Sequence, residues 1–443
     1  MQKKKKFLNA VMMVFSISVI AQIIGLFRQI LIAKYFGISR NLDIYYSAFK
    51  IPDLIFNLII LGAVSSSFIP VFIDFYKSDE KKAWQLSQNF LNIMFSIVFV
   101  ACAIMFIFAR PLATLITPGF SGPDRELAIQ LTRLMLLSPI IFSFSTVIGS
   151  ILQAVEKFFV YAIAPVMYNI GIIIGAIYFA PFVARHGYPL VIGLGLGVVL
   201  GALMHLAIQI PSAIKVGFRF GSIFDFRDLG MRKIFKLMLP RTLGLGAFSI
   251  DSTITNAIAS TMTIGSISVL NFANNLQFVP ISVIGISAAT AVFPGLSSLA
   301  SGQEKIQFKH KLVNALKSTF FVVTALGLAM AIFSHWIINI IFGTGLFKGA
   351  SVNLTASVLS IFLIGVIAQS LIPIMSRAFY ALKNTRTPVI ISVLSILINI
   401  GLSLFFTFVL HWSVKGLALA FSISGNLNFI LLWIMFWHKF RKI

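Results

Sequence analysis

The sequence has few charged residues, and those it has are unevenly divided by sign. Only 11% of its 443 residues are charged, with 12 acidic residues against 35 lysines and arginines. Soluble domains carry about a quarter charged residues. With 58% hydrophobic residues and a mean hydropathy of +0.98, the composition indicates an all-α polytopic membrane protein without room for a sizeable soluble domain.

Motifs for metal or nucleotide chemistry are also missing, and cysteine is scarce. Cys102 is the single cysteine, so no disulfide can form within the chain. The six histidines are scattered, and no glycine-rich loop is followed by the lysine of a phosphate-binding loop. The acids well inside apolar segments, Asp53 and Asp251, are far apart in sequence. These absences argue against an enzyme and favour a protein that moves its substrate.

Twelve apolar segments can be counted, each long enough to span a bilayer as a helix. Their approximate ranges are 10–35, 44–76, 85–116, 127–155, 160–184, 187–213, 231–262, 265–298, 311–342, 352–382, 387–410 and 414–438. The basic residues lie at the ends of these segments and form no soluble patch, so we exclude nucleic acid as a partner. Most of them fall on the side of the N-terminus, MQKKKKF. We therefore expect an uncleaved first span and both termini in the cytoplasm.

The most polar and basic stretch lies in the middle of the chain. We predict a six-helix lobe in residues 1–215, a cytoplasmic linker in 216–230 and a second six-helix lobe in 231–443. The alternative for the linker is a plain loop with an amphipathic piece on the membrane surface.

An internal repeat with a period of roughly 225–230 residues supports two lobes. Asn-Ile-Gly occurs at 169–171 and again at 399–401, and the spaced Pro52, Gly62 and Pro70 recur as Pro280, Gly285 and Pro294. Repeats of six helices have the same topology, so the lobes are expected to be related by a pseudo-two-fold axis along the membrane normal. Such repeats are typical of transporters with a substrate site near mid-membrane.

Two cations lie inside the first two apolar segments, Arg28 in one and Lys50 in the other. A charge in hydrocarbon costs at least about 2.5–3.5 kcal/mol, so each is expected to face protein or a water-filled cavity. Two inward cations suggest a cavity for an anionic substrate. The alternative for Arg28 is a side chain that extends to the membrane interface.

Six sequence segments, in this order along the chain, carry a family resemblance that extends from residue 10 to about residue 435. They are LFRQILIAKYFG (26–37), LDIYYSAFKIPD (42–53), GAVSSSFIPVF (62–72), LPRTLG (239–244), NFANNLQFVP (271–280) and GISAATAVFPGLS (285–297). Together they resemble the MurJ/MviN family of lipid II flippases of bacterial peptidoglycan synthesis, within the MOP superfamily that also holds the MATE exporters. The resemblance implies a V-shaped pair of lobes, alternating access and a central cationic cavity for the substrate pyrophosphate. Longer family members have two further C-terminal helices, which this sequence does not contain.

The resemblance also implies a substrate site. Arg28, Asp43 and Lys50 match family positions, whereas family cavity arginines fall on Gln22, Phe56 and Asn275, and family acids fall on Gln29 and Leu61. Amides in the cavity would hydrogen-bond the sugar or peptide, and their alternative role is contact between helices. The expected substrate-binding set is Arg28, Lys50, Asp43, Gln22, Gln29, Asn274, Asn275 and Gln277.

A sodium site in the second lobe is the only cofactor site that the resemblance implies. The matching positions are Asp251, Asn399, Ser403 and Ser422, with Ser403 in place of a family acid. The alternative position for the family's seventh-helix acid is Thr255, one turn after Asp251. Asn399 and Ser403 are four residues apart and share one helix face. The alternative for Asp251 is a protonated acid that is hydrogen-bonded within the bundle.

The expected function is a flippase, without catalytic residues. We expect a monomer in the bacterial cytoplasmic membrane that carries lipid II, or a related undecaprenyl-pyrophosphate saccharide, across the lipid bilayer by alternating access. The alternatives are a MATE-type cation-coupled exporter, a polysaccharide-lipid flippase and a non-transporting scaffold. An exporter of cationic drugs needs an acidic cavity, whereas Arg28 and Lys50 have the opposite sign. A scaffold needs neither inward cations nor a repeat.

Overall fold

The computed structural model describes residues 2–61, 67–302 and 304–440, without the side chains of residues 2–11, 61, 239–245 and 247. Gly62, most of the GAVSSSFIPVF segment's serine run, and the side chains of LPRTLG and of the N-terminal lysines therefore lie outside the described part of the chain. Within these ranges the regular structure is helical, and no strand is present.

The α-helices are numbered in chain order as α1 to α20. They are α1 Gln2–Phe36, α2 Arg40–Ala48, α3 Lys50–Ile55, α4 Ile69–Ser78, α5 Glu80–Ile107, α6 Ala109–Ile116, α7 Gly122–Met135, α8 Leu137–Ala154, α9 Phe158–Ile174, α10 Ala180–Arg185, α11 Leu190–Ala207, α12 Ile210–Lys215, α13 Leu229–Ser260, α14 Ser266–Pro280, α15 Ser287–Ser301, α16 Lys305–Ile332, α17 Ser334–Phe342, α18 Ala350–Ala381, α19 Arg386–Leu404 and α20 Val414–Phe440.

Long apolar helices confirm the prediction of an all-α polytopic membrane protein. In the described residues, 10 helical stretches are long and apolar enough to cross a bilayer. They coincide with ten of the twelve predicted segments. The other two are 44–76, which the structure divides among several short elements, and 231–262, which coincides with α13. The count of twelve spans stays a prediction.

Short π-helical segments interrupt or extend four of the helical stretches, and their spacing matches the predicted repeat. They are Phe56–Leu61, Gly175–Phe179, Ile281–Ile286 and Phe405–Val409. Phe56 and Ile281 begin one pair and Gly175 and Phe405 begin the other, so the offsets are 225 and 230 residues. Each member of the first pair follows closely on a proline, which removes one helical hydrogen bond. The repeat is thus present in the local backbone as well as in the sequence.

One compact unit runs to Phe36 and resumes from Arg40 to Thr253. An apolar core of this unit lies among α3, α4, α5 and α8. Phe68 is at the centre of a stack, with its ring centroid 5.6 Å from that of Phe72 and 4.7 Å from that of Phe90. Such aromatic burial supplies much of the packing that holds short helices together.

Glycines bring α9 and the adjoining π-helical segment into direct backbone contact with α11. Gly171 lies against the backbone of Gly201, and a Cβ on Gly175 would lie 2.6 Å from the Gly197 Cα. Backbones approach this closely only where both helices lack side chains, as is common between membrane helices. This glycine contact fixes the position of α9. Two side chains of α9 lie near α1: Tyr168 is near Arg28, and Asn169 is near Gly25.

The segment that follows α12 crosses the surface of α5 and is fixed to it. Asn89 donates from Nδ2 to the Asp225 carbonyl oxygen at 2.7 Å and accepts from the Asp225 amide at 2.7 Å. Gln88 and Asn92 donate to the carbonyl oxygens of Arg219, Gly221 and Ile223. Phe218 is buried, whereas Phe224 and Phe226 are exposed. The predicted linker is therefore held to α5 by hydrogen bonds to its main chain from Arg219 to Asp225, while most of its side chains stay exposed.

The second compact unit contains Gly37–Ser39 and the chain from Ile254 onward. Its core lies among α15, α16, α18 and α20, with Phe308, Phe379 and Phe436 fully buried. The two units divide within α13, after Thr253, whereas the division predicted from the sequence lies in residues 216–230. The predicted lobe boundaries stay a prediction.

Candidate functional site

One face of α1 is covered by protein and another is open. Ile17 and Ile32 are buried, and the partly buried Ile24 and Arg28 follow the same stripe at helical spacing. Ile17 and Ile24 pack in one cluster with side chains of α9. Phe27, on the other face, is 50% exposed. Arg28 therefore lies on the side of α1 that faces protein.

Three tyrosines lie near the Arg28 guanidinium. Tyr45 and Tyr46 of α2 and Tyr168 of α9 each interact electrostatically with it. Arg28 Nε is buried, and within the described ranges it has no hydrogen-bond partner. A buried guanidinium nitrogen without a partner is costly. An anion that reached this arginine would find a cation together with phenol donors.

The amide of Gln29 is joined to this tyrosine group. Gln29 is buried, and its Oε1 accepts a hydrogen bond from the Tyr46 hydroxyl at 3.1 Å. Gln22 lies two turns earlier on the same helical face, and its side chain is exposed. The structure thus places Gln29 within the Arg28 neighbourhood and leaves Gln22 open on the helix surface.

Lys50 begins α3, and its ammonium donates a hydrogen bond of 2.9 Å to the Ser252 hydroxyl of α13. Both residues belong to the first unit. Asp53, one turn later in α3, interacts electrostatically with Lys50 and has an exposed side chain. The second inward cation is thus held by a neutral oxygen on one side and has a carboxylate nearby.

Asp43 lies in the first turn of α2 and is 1% exposed. It interacts electrostatically with Tyr46, one turn further along the helix. A carboxylate is favourable at a helix N-terminus because the unpaired backbone amides there carry partial positive charge. Asp43 is therefore placed to support α2 and its tyrosines.

Three predicted amide side chains lie in the second unit. Gln277 and Asn274 are hydrogen-bonded to each other, and Asn275 is separate from them. Gln277 of α14 is buried, and its Nε2 donates to Asn274 Oδ1 at 2.8 Å. Gln277 Oε1 is buried without a hydrogen-bond partner among the described atoms. The side chains of Asn274 and Asn275 are exposed. Helix α14 therefore presents the amides of Asn274 and Asn275 on its surface, next to the buried Gln277.

The four residues of the predicted sodium set are all buried. Asp251 is 8% exposed and belongs to the first unit, whereas the other three belong to the second. Ser422 donates to the Ile361 carbonyl oxygen at 2.8 Å. Ser403 Oγ is buried and, in the described part of the chain, has no hydrogen-bond partner. Asn399 is 3% exposed.

Several residues of the site are missing from the sequence-based set. They are Tyr45, Tyr46, Tyr168 and Ser252. Two signals were available: adjacent tyrosines in an apolar segment just before Lys50, and a serine next to the buried Asp251. Neither signal identifies a partner, because Lys50 and Ser252 are 202 residues apart.

The arrangement suits the binding of an anion. It combines two cations with phenol, amide and hydroxyl groups, all of which can donate hydrogen bonds. Arginine binds phosphate oxygens through its planar fork and lysine binds them as a point charge. Because both cations lie in apolar segments, their attraction for an anion is stronger than it would be in water.

Comparison with known proteins gives a family match over most of the chain. The family model described as "Lipid II flippase MurJ" matches residues 32–443. A "Probable lipid II flippase MurJ" of Buchnera aphidicola subsp. Acyrthosiphon pisum is 30% identical over 419 residues, which are 94% of this chain and 81% of that protein. The "Lipid II flippase MurJ" of Burkholderia cenocepacia is 28% identical and covers 96% of this chain and 83% of that protein.

Solved structures share the fold. A lipid II flippase MurJ in an inward closed conformation superposes with a TM-score of 0.80 at 25% identity and covers 96% of this chain and 87% of that one. An inward-facing MATE multidrug transporter of the MOP superfamily superposes with a TM-score of 0.79 at 15% identity, over 97% of this chain and 98% of that one. The second likeness concerns the fold alone.

Proposed function

Because the chain belongs to the MurJ family of lipid II flippases, we propose that it moves lipid II across the membrane and holds the substrate pyrophosphate with Arg28 and Lys50. The family is a transporter family and not a class of enzymes. Its members act on a lipid-linked substrate in a membrane, and this chain is a multi-pass protein of the bacterial inner membrane. The pair of inward cations is the observation that carries the proposal.

Arg28 is the stronger of the two anion ligands. It lies on the protein-facing stripe of α1, beside Tyr45, Tyr46 and Tyr168. A guanidinium that replaces water around a phosphate forms charge-assisted hydrogen bonds, which are about twice as strong as neutral ones. The phenol hydroxyls would add donors to the same oxygens. Arg28 would therefore supply affinity for the pyrophosphate.

Lys50 would supply the second charge and make binding reversible. Its ammonium already has a neutral partner, Ser252, at 2.9 Å. A neutral hydroxyl compensates the ammonium less than a carboxylate would, so phosphate can compete for it. After the phosphate leaves, the serine again satisfies the lysine. The substrate is thus bound without being trapped.

The amides would bind the neutral part of the substrate. Gln29 is held by Tyr46 in the first unit, and the exposed Asn274 and Asn275 are open in the second. Sugars and peptides present alternating donors and acceptors, which carboxamides match on both sides. We expect these residues to affect affinity less than the cations do.

The proposal includes a topology with both termini in the cytoplasm and a protein that works as a monomer. Cys102 is the single cysteine, so Cys102→Ser gives a cysteine-free background. Lys157 precedes α9 and His186 precedes α11, so they lie at opposite ends of the intervening span. In intact cells, a membrane-impermeant thiol reagent should label His186→Cys and leave Lys157→Cys unlabelled. The reverse pattern would place the termini outside.

The function is tested by complementation in bacteria depleted of their own lipid II flippase. Arg28→Ala and Lys50→Ala should each fail to restore growth, and Arg28→Lys should restore it in part because a charge without the planar fork remains. Lys34→Ala is the matched control, since Lys34 is an exposed cation of the same helix. Immunoblots of membranes establish equal insertion. Normal growth with both alanine variants would refute the proposal that Arg28 and Lys50 hold the pyrophosphate.

A further inference from the structure

The ends of four helices of the second unit enclose a cavity that no part of the proposed flipping site uses. Its volume is about 580 Å³, within the range of small-molecule sites. It lies where α15 and α18 end, where α16 begins and where α20 ends. It is lined by Leu299, Ala300, Ser301, Lys305, Phe308, Ala381, Leu382, Lys383 and Phe440. All of these residues belong to the second unit.

The cavity has two chemically different parts. Phe440, backed by the buried Phe308, forms an apolar wall, and the centroids of the two stacked rings are 5.6 Å apart. Lys305 and Lys383 contribute two ammonium groups, and both side chains are exposed. Free phosphate would leave the apolar wall unused, whereas a phospholipid has a charged headgroup and an apolar body that match the two parts.

The backbone around the cavity holds one of the lysines in place. Lys383 has a φ of +58°, in the left-handed region, directly after the end of α18. Its amide donates to the Tyr380 carbonyl oxygen at 2.9 Å, and the Asn384 amide donates to that of Phe379 at 2.9 Å. These bonds satisfy carbonyl groups at the end of α18, so fewer of them face an incoming anion. The turn thereby fixes the direction in which Lys383 leaves the helix.

Lysines and arginines greatly outnumber acidic residues in the second unit as a whole. From Ile254 to the last residue the sequence contains twelve lysines and arginines and a single acid, Glu304. Most of the counter-charge must therefore come from outside this part of the chain. Anionic phospholipids supply negative charge at the ends of membrane helices, and basic pockets between helices are known to bind their headgroups.

We propose that this cavity binds the headgroup of an anionic phospholipid, with Lys305 and Lys383 on the phosphate and the Phe308–Phe440 wall against the glycerol and first acyl carbons. The site is separate from Arg28 and Lys50 and does not depend on what the protein flips. Its expected effect is to stabilise the second unit in a membrane that contains acidic lipid.

The test measures lipid binding to the purified full-length protein by native mass spectrometry. The probes are short-chain phosphatidylglycerol, short-chain phosphatidylcholine and inorganic phosphate. We expect phosphatidylglycerol to bind, and the double variant Lys305→Gln/Lys383→Gln to weaken it by about tenfold or more. Ala381→Leu, which fills the cavity without changing its charge, should weaken it as well.

The matched control removes the same charge at the other end of the same helices. Lys348 precedes α18 and Lys415 is near the start of α20, and both side chains are exposed. Lys348→Gln/Lys415→Gln should leave phosphatidylglycerol binding unchanged, and thermal unfolding without lipid should be equal for all variants. Equal loss in both double variants would overturn the site. Inorganic phosphate that binds as tightly as phosphatidylglycerol would overturn the lipid assignment.

The lipid site and the flipping site can fail separately. Arg28→Ala should lose complementation and keep phosphatidylglycerol binding, because Arg28 is in the first unit and the cavity is in the second. If Arg28→Ala supports growth while Lys305→Gln/Lys383→Gln loses phosphatidylglycerol binding, the role proposed for Arg28 is wrong and the lipid site stands.

Discussion

The Lys50 ammonium and the Ser252 hydroxyl are joined by a hydrogen bond of 2.9 Å across 202 residues of sequence. The bond connects the first residue of α3 to α13. The hydrogen-bond partner of the lysine is neutral, and the Asp53 carboxylate interacts with the ammonium electrostatically. Because the hydrogen bond itself adds no negative charge, it positions the ammonium without neutralising it.

Replacement of each partner should separate charge from positioning. Lys50→Ala removes the cation and should abolish flipping, whereas Ser252→Ala keeps it and should lower flipping by a few-fold. The stability cost of Ser252→Ala should be about 0.6–1.7 kcal/mol, as for other hydrogen bonds between membrane helices. Flipping in reconstituted vesicles and thermal unfolding in detergent measure the two effects. An inactive Ser252→Ala variant with normal stability would show that the hydroxyl itself contacts substrate.

The two glycines of the repeated Asn-Ile-Gly sequence should respond in opposite ways to alanine. Gly171 lies against Gly201, whereas a Cβ on Gly401 would meet nothing within 4 Å. Gly171→Ala should destabilise the protein by about 1–3 kcal/mol because it forces α9 and α11 apart. Gly401→Ala should be neutral or stabilise by up to about 1 kcal/mol, because alanine favours helix. Thermal unfolding of the two variants is the measurement, and equal effects would contradict the close packing at Gly171.

The linker should become more accessible to protease when its hydrogen bonds to Asn89 of α5 are removed. Asn89→Ala loses two hydrogen bonds to Asp225, which are worth about 1 kcal/mol each. We expect faster tryptic cleavage after Arg227, measured by the appearance of two large fragments. Asn353→Ala is the control, since Asn353 lies in the first turn of α18, in the second unit. Unchanged cleavage in Asn89→Ala would mean that other contacts hold the linker.

Sodium coupling stays a prediction, with Asp251 as the residue to test. If a sodium ion drives the cycle, flipping in vesicles should be faster in sodium than in N-methylglucamine, and Asp251→Asn should abolish the difference. An ionised acid that is 8% exposed needs a cation or hydrogen bonds to compensate it. Asp74→Asn is the control, because Asp74 is exposed and paired with Lys233. Flipping that ignores sodium in the wild-type protein would remove the hypothesis.

The sequence predicts those features that depend on local composition. The cost of a charge in hydrocarbon is a property of one residue, and it correctly indicates that Arg28 needs a protein-facing position. The long apolar helices follow from composition in the same way. In contrast, the partner of Lys50 depends on how α3 and α13 pack, and no local pattern contains that information.

The repeat shows the same limit at a single residue. Asn-Ile-Gly has identical letters at 169–171 and 399–401, but only the first glycine is pressed against a neighbouring backbone. The difference arises because α11 supplies glycines opposite Gly171. Sequence similarity between the halves therefore predicts similar helices, and the surroundings decide what each position does.

The hydrogen bonds between α5 and the linker use main-chain atoms of the linker. Gln88, Asn89 and Asn92 contact carbonyl oxygens and one amide, and none of these bonds involves a linker side chain. Selection can therefore change exposed side chains of this segment, such as Phe224 and Phe226, without altering its path, whereas the buried Phe218 is constrained by the core. As related sequences diverge, the path of the linker would be conserved as long as the polar residues of α5 are kept. The exposed side chains of the linker could meanwhile change to suit a different membrane or partner.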